Sequence, residues 1–195
     1  TIDLIIKRGV YFHKDPCFKG KNEELTAEDV KFTLDFACAS HKLNKQSQLL
    51  IGKIKGANEF YESFNGNISQ GVSGIKTLSK YSLRIELLNP SPTFLKILTH
   101  QSVSVFSKKA YLYYKEKIQN HPVGTGPYML ASSNEKERVY KRNDKYWKYD
   151  NYNNQLPFLD KILVKYELEG KGFKSFTTQK TDLLLSVPAN KINSL

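Results

Sequence analysis

The residues best equipped for chemistry lie in a glycine-rich run, His121-Pro122-Val123-Gly124-Thr125-Gly126-Pro127-Tyr128-Met129-Leu130. Backbone amides in such a run can cradle a phosphate. That chemistry needs a G-x-x-x-x-G-K-[ST] or G-x-G-x-x-G spacing, and neither occurs here. The plainer reading is a pre-set turn: glycine opens backbone angles closed to other residues, Pro127 fixes φ, and a strand then runs into a core. Glu28 and Asp29 are adjacent carboxylates of the type used in acid–base work, yet their place in the first turn of a helix favours capping. Serine, histidine and aspartate are present without a G-x-S-x-G elbow or an H-E-x-x-H helix, so no catalytic residue and no enzyme is expected. His13, His41, His100 and His121 stand far apart, with no H-x-x-x-H or C-x-x-C pair, so no metal and no cofactor is expected. Cys17 and Cys38 have two readings: a disulfide in an oxidising compartment, or two ordinary thiols with Cys38 packed as a small hydrophobe. Tyr111, Tyr113 and Tyr114 form either an aromatic platform for a ligand or the half-buried face of a helix. Trp147, beside Tyr146 and Tyr149, either lines a cleft or packs half-buried.

The elements that must position these residues show in the periodicity. Leu4, Ile6, Val10 and Phe12 alternate along residues 2–13 about a bend at Gly9, and Lys14 to Glu24 is a polar loop. Thr26 is an N-cap with Asp29 three residues on, and Leu25 and Val30 can staple across the start. Ala27, Val30, Leu34 and Cys38 then share one helix face, widened by Phe32 and Phe36, while Lys31 and Asp35 face water. A second helix is expected from Gln48 to about Phe64. Gly71 to Leu88 reads as a hairpin turning at Ser79-Lys80-Tyr81. Ser91-Pro92 opens a helix over 93–100, and Ser107 caps another from Lys108 to Gln119. After His121 strands dominate. Residues 128–132 and 138–141 form a meander about the polar stretch 133–137, and Ile162, Val164, Tyr166 and Leu168 alternate on a longer strand. A short helix over 173–178, a buried strand over 181–186 and a helix opened by Pro188 complete a mixed α/β chain.

At 195 residues, 39% hydrophobic and 25% charged, the chain is of globular composition and long enough for one large domain or two small lobes. No run of about 18 apolar residues occurs. Thirty Lys and Arg against nineteen Asp and Glu give a net charge of +11. Such a field favours anionic surfaces, and a basic module for nucleic acid or anionic lipid is the alternative function. The basic residues are scattered rather than gathered into one block, so no nucleic acid is expected as partner. Thr1-Ile2-Asp3-Leu4-Ile5-Ile6 lacks the basic start and cleavage site of a signal peptide and reads as mid-strand, which suggests an excised piece.

Five short signals follow one another in order: Arg8-Gly9-Val10-Tyr11-Phe12-His13, Leu25-Thr26-Ala27-Glu28-Asp29-Val30, Val123-Gly124-Thr125-Gly126-Pro127-Tyr128, Arg142-Asn143-Asp144-Lys145-Tyr146-Trp147 and Pro157-Phe158-Leu159-Asp160-Lys161-Ile162. Together they resemble the family-5 extracellular solute-binding proteins, the oligopeptide-, dipeptide- and nickel-binding receptors of ABC importers. The resemblance implies a fragment of a type II periplasmic-binding-protein-like fold, whose two lobes close on a ligand by a hinge. It implies a peptide ligand, an ABC permease as membrane partner, and a periplasmic or extracellular location with or without a lipid anchor. Residues 1–120 would be most of the smaller lobe and 121–195 a central segment of the principal lobe, with the opposing lobe C-terminal to Leu195. No ligand-binding residue is carried over, because none of the matched motifs is a ligand contact in that family. Gly124, Thr125, Gly126 and Tyr128 are expected to fix a turn near the inter-lobe crossing. The loop 14–24 is longer than the family's, and Lys180-Thr181-Asp182 keeps the Asp but not the Gly of its G-x-I-D signal. Cut sheet edges are expected to favour self-association.

Overall fold

The computed structural model describes residues 1–167, 171–187, 189 and 192. The chain forms two compact units, Thr1–Met129 with Arg142–Phe158, and Leu130–Lys141 with Leu159–Leu195.

The first unit is built on an antiparallel sheet of β1 (Ile2–Ile5), β2 (Ile75–Ser79) and β3 (Ser82–Ile85), in the order β1-β3-β2. The register sets Leu4 against Leu83 and Ile75 against Ile85. Strand β3, paired on both sides, buries Leu83 and Ile85 completely. Against this sheet lies α1 (Ala27–Cys38), whose Ala27, Val30, Leu34 and Cys38 enter the core with Leu50, Ile54, Phe60, Val72 and Phe94. The helix starts where its cap demands: Asp29 Oδ2 accepts from both the amide and the hydroxyl of Thr26, at 3.1 and 2.9 Å. The expectation that Asp35 faces water fails. Asp35 is buried because the 68–72 loop folds over it, and its carboxylate accepts from Val72 N and from Lys31 Nζ, at 2.9 and 2.8 Å. Burial pushes the Asp35 carboxyl above the ordinary carboxylate range, against the pull of Lys31.

The long helix expected from Gln48 does not form. Gly52 and Gly56 take φ of 73° and 76°, so the chain makes a 3-10 turn at Ser47–Leu49 and only then α2 (Ala57–Glu62). Its hydrophobes Leu50, Ile54, Ala57 and Phe60 are buried all the same. The hairpin turns at 79–82 as its sequence indicates. Helix α3 is a single turn, Phe94–Ile97, with the Phe94 amide donating to the Ser91 carbonyl. Ser107 caps α4 (Lys108–Tyr114) by accepting from Ala110 N. That helix ends five residues early, because Lys115 adopts φ 50° and ψ −125° and a 3-10 turn follows over Lys115–Asn120.

A second sheet is formed by β4 (Tyr128–Ser133), β5 (Glu137–Arg142) and β6 (Lys161–Lys165), ordered β4-β5-β6, of which Leu130–Lys141 and Lys161–Lys165 belong to the second unit, followed there by α5 (Lys171–Thr177). Val139 stands opposite Leu163. None of the described hydrophobes of this unit is buried. The buried strand expected over 181–186 is absent: Leu183 and Leu185 are 74% and 85% exposed and join no ladder. Leu168 and the helix expected at Pro188 lie outside the described residues.

Candidate functional site

Four of the five motifs meet in the first unit. The strand-like segment Val10–Phe12 is tied to the residues before α1 by Leu25 N donating to Val10 O and Phe12 N to Glu23 O, at 2.8 and 2.9 Å. His13 then turns onto the glycine-rich run: its amide donates to Gly124 O at 2.8 Å and its Nε2–H to Gly126 O at 2.9 Å. From the other side Asn143 donates its Nδ2 to the same Gly126 carbonyl at 3.0 Å and its amide to Pro127 O at 2.8 Å. Asn143 Oδ1 in turn accepts from Lys145 N at 3.1 Å, which fixes the turn leading to Tyr146 and Trp147. Val123 is buried against Phe12, Phe18 and Ala110 beneath this junction. The groups this loop offers its neighbours are carbonyls, whereas a phosphate cradle needs converging amides.

The glycines of the run need correction. Neither Gly124 nor Gly126 takes a left-handed φ, and a Cβ on either would meet nothing within 4 Å. The turn is held by the His13 and Asn143 bonds rather than by glycine geometry. His13 is buried, and burial holds its ring below the ordinary histidine range, against the carbonyls of Gly126 and Pro122, which favour the cation. The ring is therefore neutral, with its proton on Nε2 and a buried Nδ1 that has no partner. Sequence periodicity missed both His13 and Asn143 as structural keys, since each acts across a long loop. The one local signal was Asn-Asp before the aromatic pair, a common side-chain turn.

Trp147 is half-buried, with Lys7 Nζ 4.8 Å from its ring centre and Tyr146 beside it at 5.5 Å. Of the three tyrosines of α4, Tyr111 stands apart, whereas Tyr113 and Tyr114 meet edge to face at 4.8 Å. Tyr111 packs on Phe32 and Phe36, Tyr114 stacks flat on His121 at 4.1 Å and donates to Asp15, and Tyr113 is 61% exposed. They do not form one platform. Cys17 and Cys38 are free thiols, so the disulfide reading fails. Burial pushes each thiol up to about 12, helped at Cys17 by Asp15, so neither is a thiolate nucleophile at neutral pH. The histidines stay apart, and among the described residues no three His, Cys, Asp or Glu gather as a metal site. A depression of about 380 Å³ is lined by Lys55, Gly56, Glu59, Phe60, Ser63, Gln70, Gly71 and Ser73. It holds one lysine and one carboxylate and no nucleophile–base pair.

These features define a class: a mixed α/β scaffold whose motifs hold turns rather than present reacting groups. The family model of the bacterial extracellular solute-binding proteins, family 5, matches residues 1–195, and the chain belongs to that family. It is 28% identical over 170 residues to the peptide transport periplasmic protein SapA of Haemophilus influenzae, covering 74% of this chain and 29% of that one. It is 31% identical over 154 residues to the dipeptide-binding protein of Escherichia coli, covering 75% and 27%. Among solved structures it resembles the periplasmic binding protein DppA of Helicobacter pylori in complex with peptide STSA, with TM-score 0.73 and 22% identity over 99% of this chain and 36% of the other. The chain thus spans under a third of the length of these curated relatives. The family comprises periplasmic or extracellular receptors of transport systems, not enzymes, and no described helix is long and apolar enough to cross a membrane.

Proposed function

We propose that this chain is part of the substrate-binding component of an ABC importer, and that the ligand of the whole receptor is a short peptide held between lobes. The reading is carried by the family match over the full chain together with the likeness to a dipeptide-binding protein over three quarters of it. In this reading residues 1–120 belong to the smaller lobe and 121–195 to a central segment of the principal lobe. The junction of His13, Gly126 and Asn143 then steadies the chain near its crossing between them. The coverage of about a third of the related structures supports an opposing lobe supplied by further sequence. A ligand gripped from one side buries too little surface for tight binding, so the chain alone is expected to bind weakly. The closed receptor is presented to a membrane permease, with or without a lipid anchor, and the isolated chain can pair with itself through β1, β2, β4 or β6, each at a sheet edge.

Titration calorimetry with a library of tri- to pentapeptides tests this on the 195-residue chain and on a receptor of the family's full length. Micromolar binding by the full-length receptor, and weak or no binding by the chain, is the expected result. Tight binding by the chain alone overturns the shared cleft, and no binding by the full-length receptor overturns the peptide assignment.

A further inference from the structure

A histidine outside the motif junction, His41, stands just beyond the end of α1. His41 Nδ1 accepts the amide N–H of Leu43 at 3.2 Å. An accepting Nδ1 carries no proton, so the ring proton sits on Nε2, which faces the Tyr111 hydroxyl at 3.4 Å. The ring is walled by Phe36, Phe64 and Tyr111, at centroid distances of 5.0, 6.2 and 6.4 Å. The loop it fixes has a task. Asn44 directs its Nδ2 at the carbonyls of Phe36, Ala37 and Ala39, at 3.1, 2.8 and 2.9 Å, and its amide donates to His41 O. The first two of these carbonyls belong to the last turn of α1; Phe36 O also accepts the Ala39 amide at 3.0 Å, and Asn44 adds a donor at an end where carbonyls run out of helical partners.

We propose that His41 is a proton-released latch: its neutral ring holds the 41–46 loop over the C-terminus of α1, and protonation opens it. The imidazolium has donors on both nitrogens, so Nδ1–H would point at the Leu43 N–H and the bond that sets the loop would become a contact between two donors. The groups that face the ring are few. Glu116, from the turn after α4, favours the cation, Lys42 opposes it, and the two are paired with each other at 2.6 Å. Tyr111 is neutral, its hydroxyl pushed up by burial. Burial of the ring outweighs Glu116 and holds His41 below the ordinary histidine range. The sign follows: a depressed value gives stability that is fully present above the free histidine value of about 6.5 and is lost as pH falls through the lower native value. Mild acid therefore loosens the join between α1, α2 and α4.

The intact protein, with its histidine rings and the leucine amides isotopically labelled, is titrated by NMR from about pH 8 to about pH 5. The Leu43 amide is expected to shift with the same midpoint as the His41 ring, and that midpoint to lie below the free histidine value of about 6.5. His41→Asn keeps an oxygen able to accept from Leu43 but cannot take the proton, so its Leu43 amide should stay put across the range. A Leu43 amide that does not move as His41 titrates overturns the latch. So does a His41 midpoint above the free histidine value of about 6.5, or a Leu43 amide that still moves with pH in His41→Asn as it does in the wild type. The wild-type titration alone decides the matter if the variant does not fold.

Discussion

Glu24 accepts from three donors at once: Gly9 N at 2.9 Å, Tyr81 Oη at 2.8 Å and Lys80 Nζ at 3.0 Å. It thereby ties the first motif to the turn of the hairpin, and the Gly9 amide, then Lys80 and Tyr81, draw its carboxyl down to about 2. A depressed carboxylate gives stability that is present above its ordinary value of 4.5 and is lost as pH falls toward 2. Acid unfolding of Glu24→Gln should therefore be less steep than wild type across that interval, as followed by circular dichroism. An unchanged slope would show that the three bonds contribute nothing. The glycines divide on the same kind of evidence. A Cβ on Gly74 would lie 2.4 Å from the backbone oxygen of Lys55, in a segment bonded on both sides by Gly74 N to Lys55 O and Glu86 N to Gly74 O. Gly74→Ala is expected to cost about 1–3 kcal/mol through the forced backbone shift, whereas Gly126→Ala, with open space before it, should change the denaturant midpoint little. Equal losses in the two variants would refute this reading of the glycine-rich run. The cap at Thr26 and Asp29 was legible in the sequence because capping acts over three residues. The burial of Asp35 beneath Val72, and the long-range bonds of His13 and Asn143 to the glycine-rich run, were not legible, because each reaches across chain that no periodicity reports.

Elements were legible in type and less so in extent. The buried stripe of α1, the hairpin and the β4–β5 meander follow the apolar spacing, since burial on a sheet or helix selects that spacing directly. The helices after α1 are shorter than their hydrophobic pattern, and the reason is backbone geometry at single residues. At α4 the break falls on Lys115, a non-glycine residue at φ 50° and ψ −125°. Such a conformation strains any side chain bearing a Cβ and is natural to glycine. Lys115→Gly should therefore stabilise the first unit by about 0.5–1 kcal/mol despite glycine's looser unfolded chain, read as a higher urea midpoint at an unchanged slope. A destabilised variant would mean that the Lys115 side chain supplies more than its backbone strain removes. The same comparison explains the missing second helix, where Gly52 and Gly56 allow the chain to fold back and bury Leu50 and Ile54 without helical continuity.

At the scale of the molecule the two units differ in what holds them. The first has a continuous core in which Leu83, Ile85, Leu50, Ile54 and Phe94 are fully buried, and truncating such a side chain typically costs 2–5 kcal/mol. The second has a ladder of β5 on β6 and no buried hydrophobe among its described residues, with Leu163 and Tyr166 43% and 49% exposed. Backbone hydrogen bonds contribute only about 1 kcal/mol each net of water, so a sheet without apolar cover opens easily. In the 195-residue chain, Leu83→Ala should lower the stability of the first unit by about 2–5 kcal/mol, while Leu163→Ala should cost under about 1 kcal/mol. Native-state hydrogen exchange gives the matching observation: amides of Val139 and Leu163 should exchange well before those of Leu83 and Ile85. In a receptor of the family's full length the proposed function demands more. If further sequence covers the apolar face of the β4–β6 sheet, the Val139 and Leu163 amides must gain protection there, and Leu163→Ala must become costly. Amides that exchange equally fast in both settings would leave that face uncovered in the full receptor and remove the structural basis for a shared cleft.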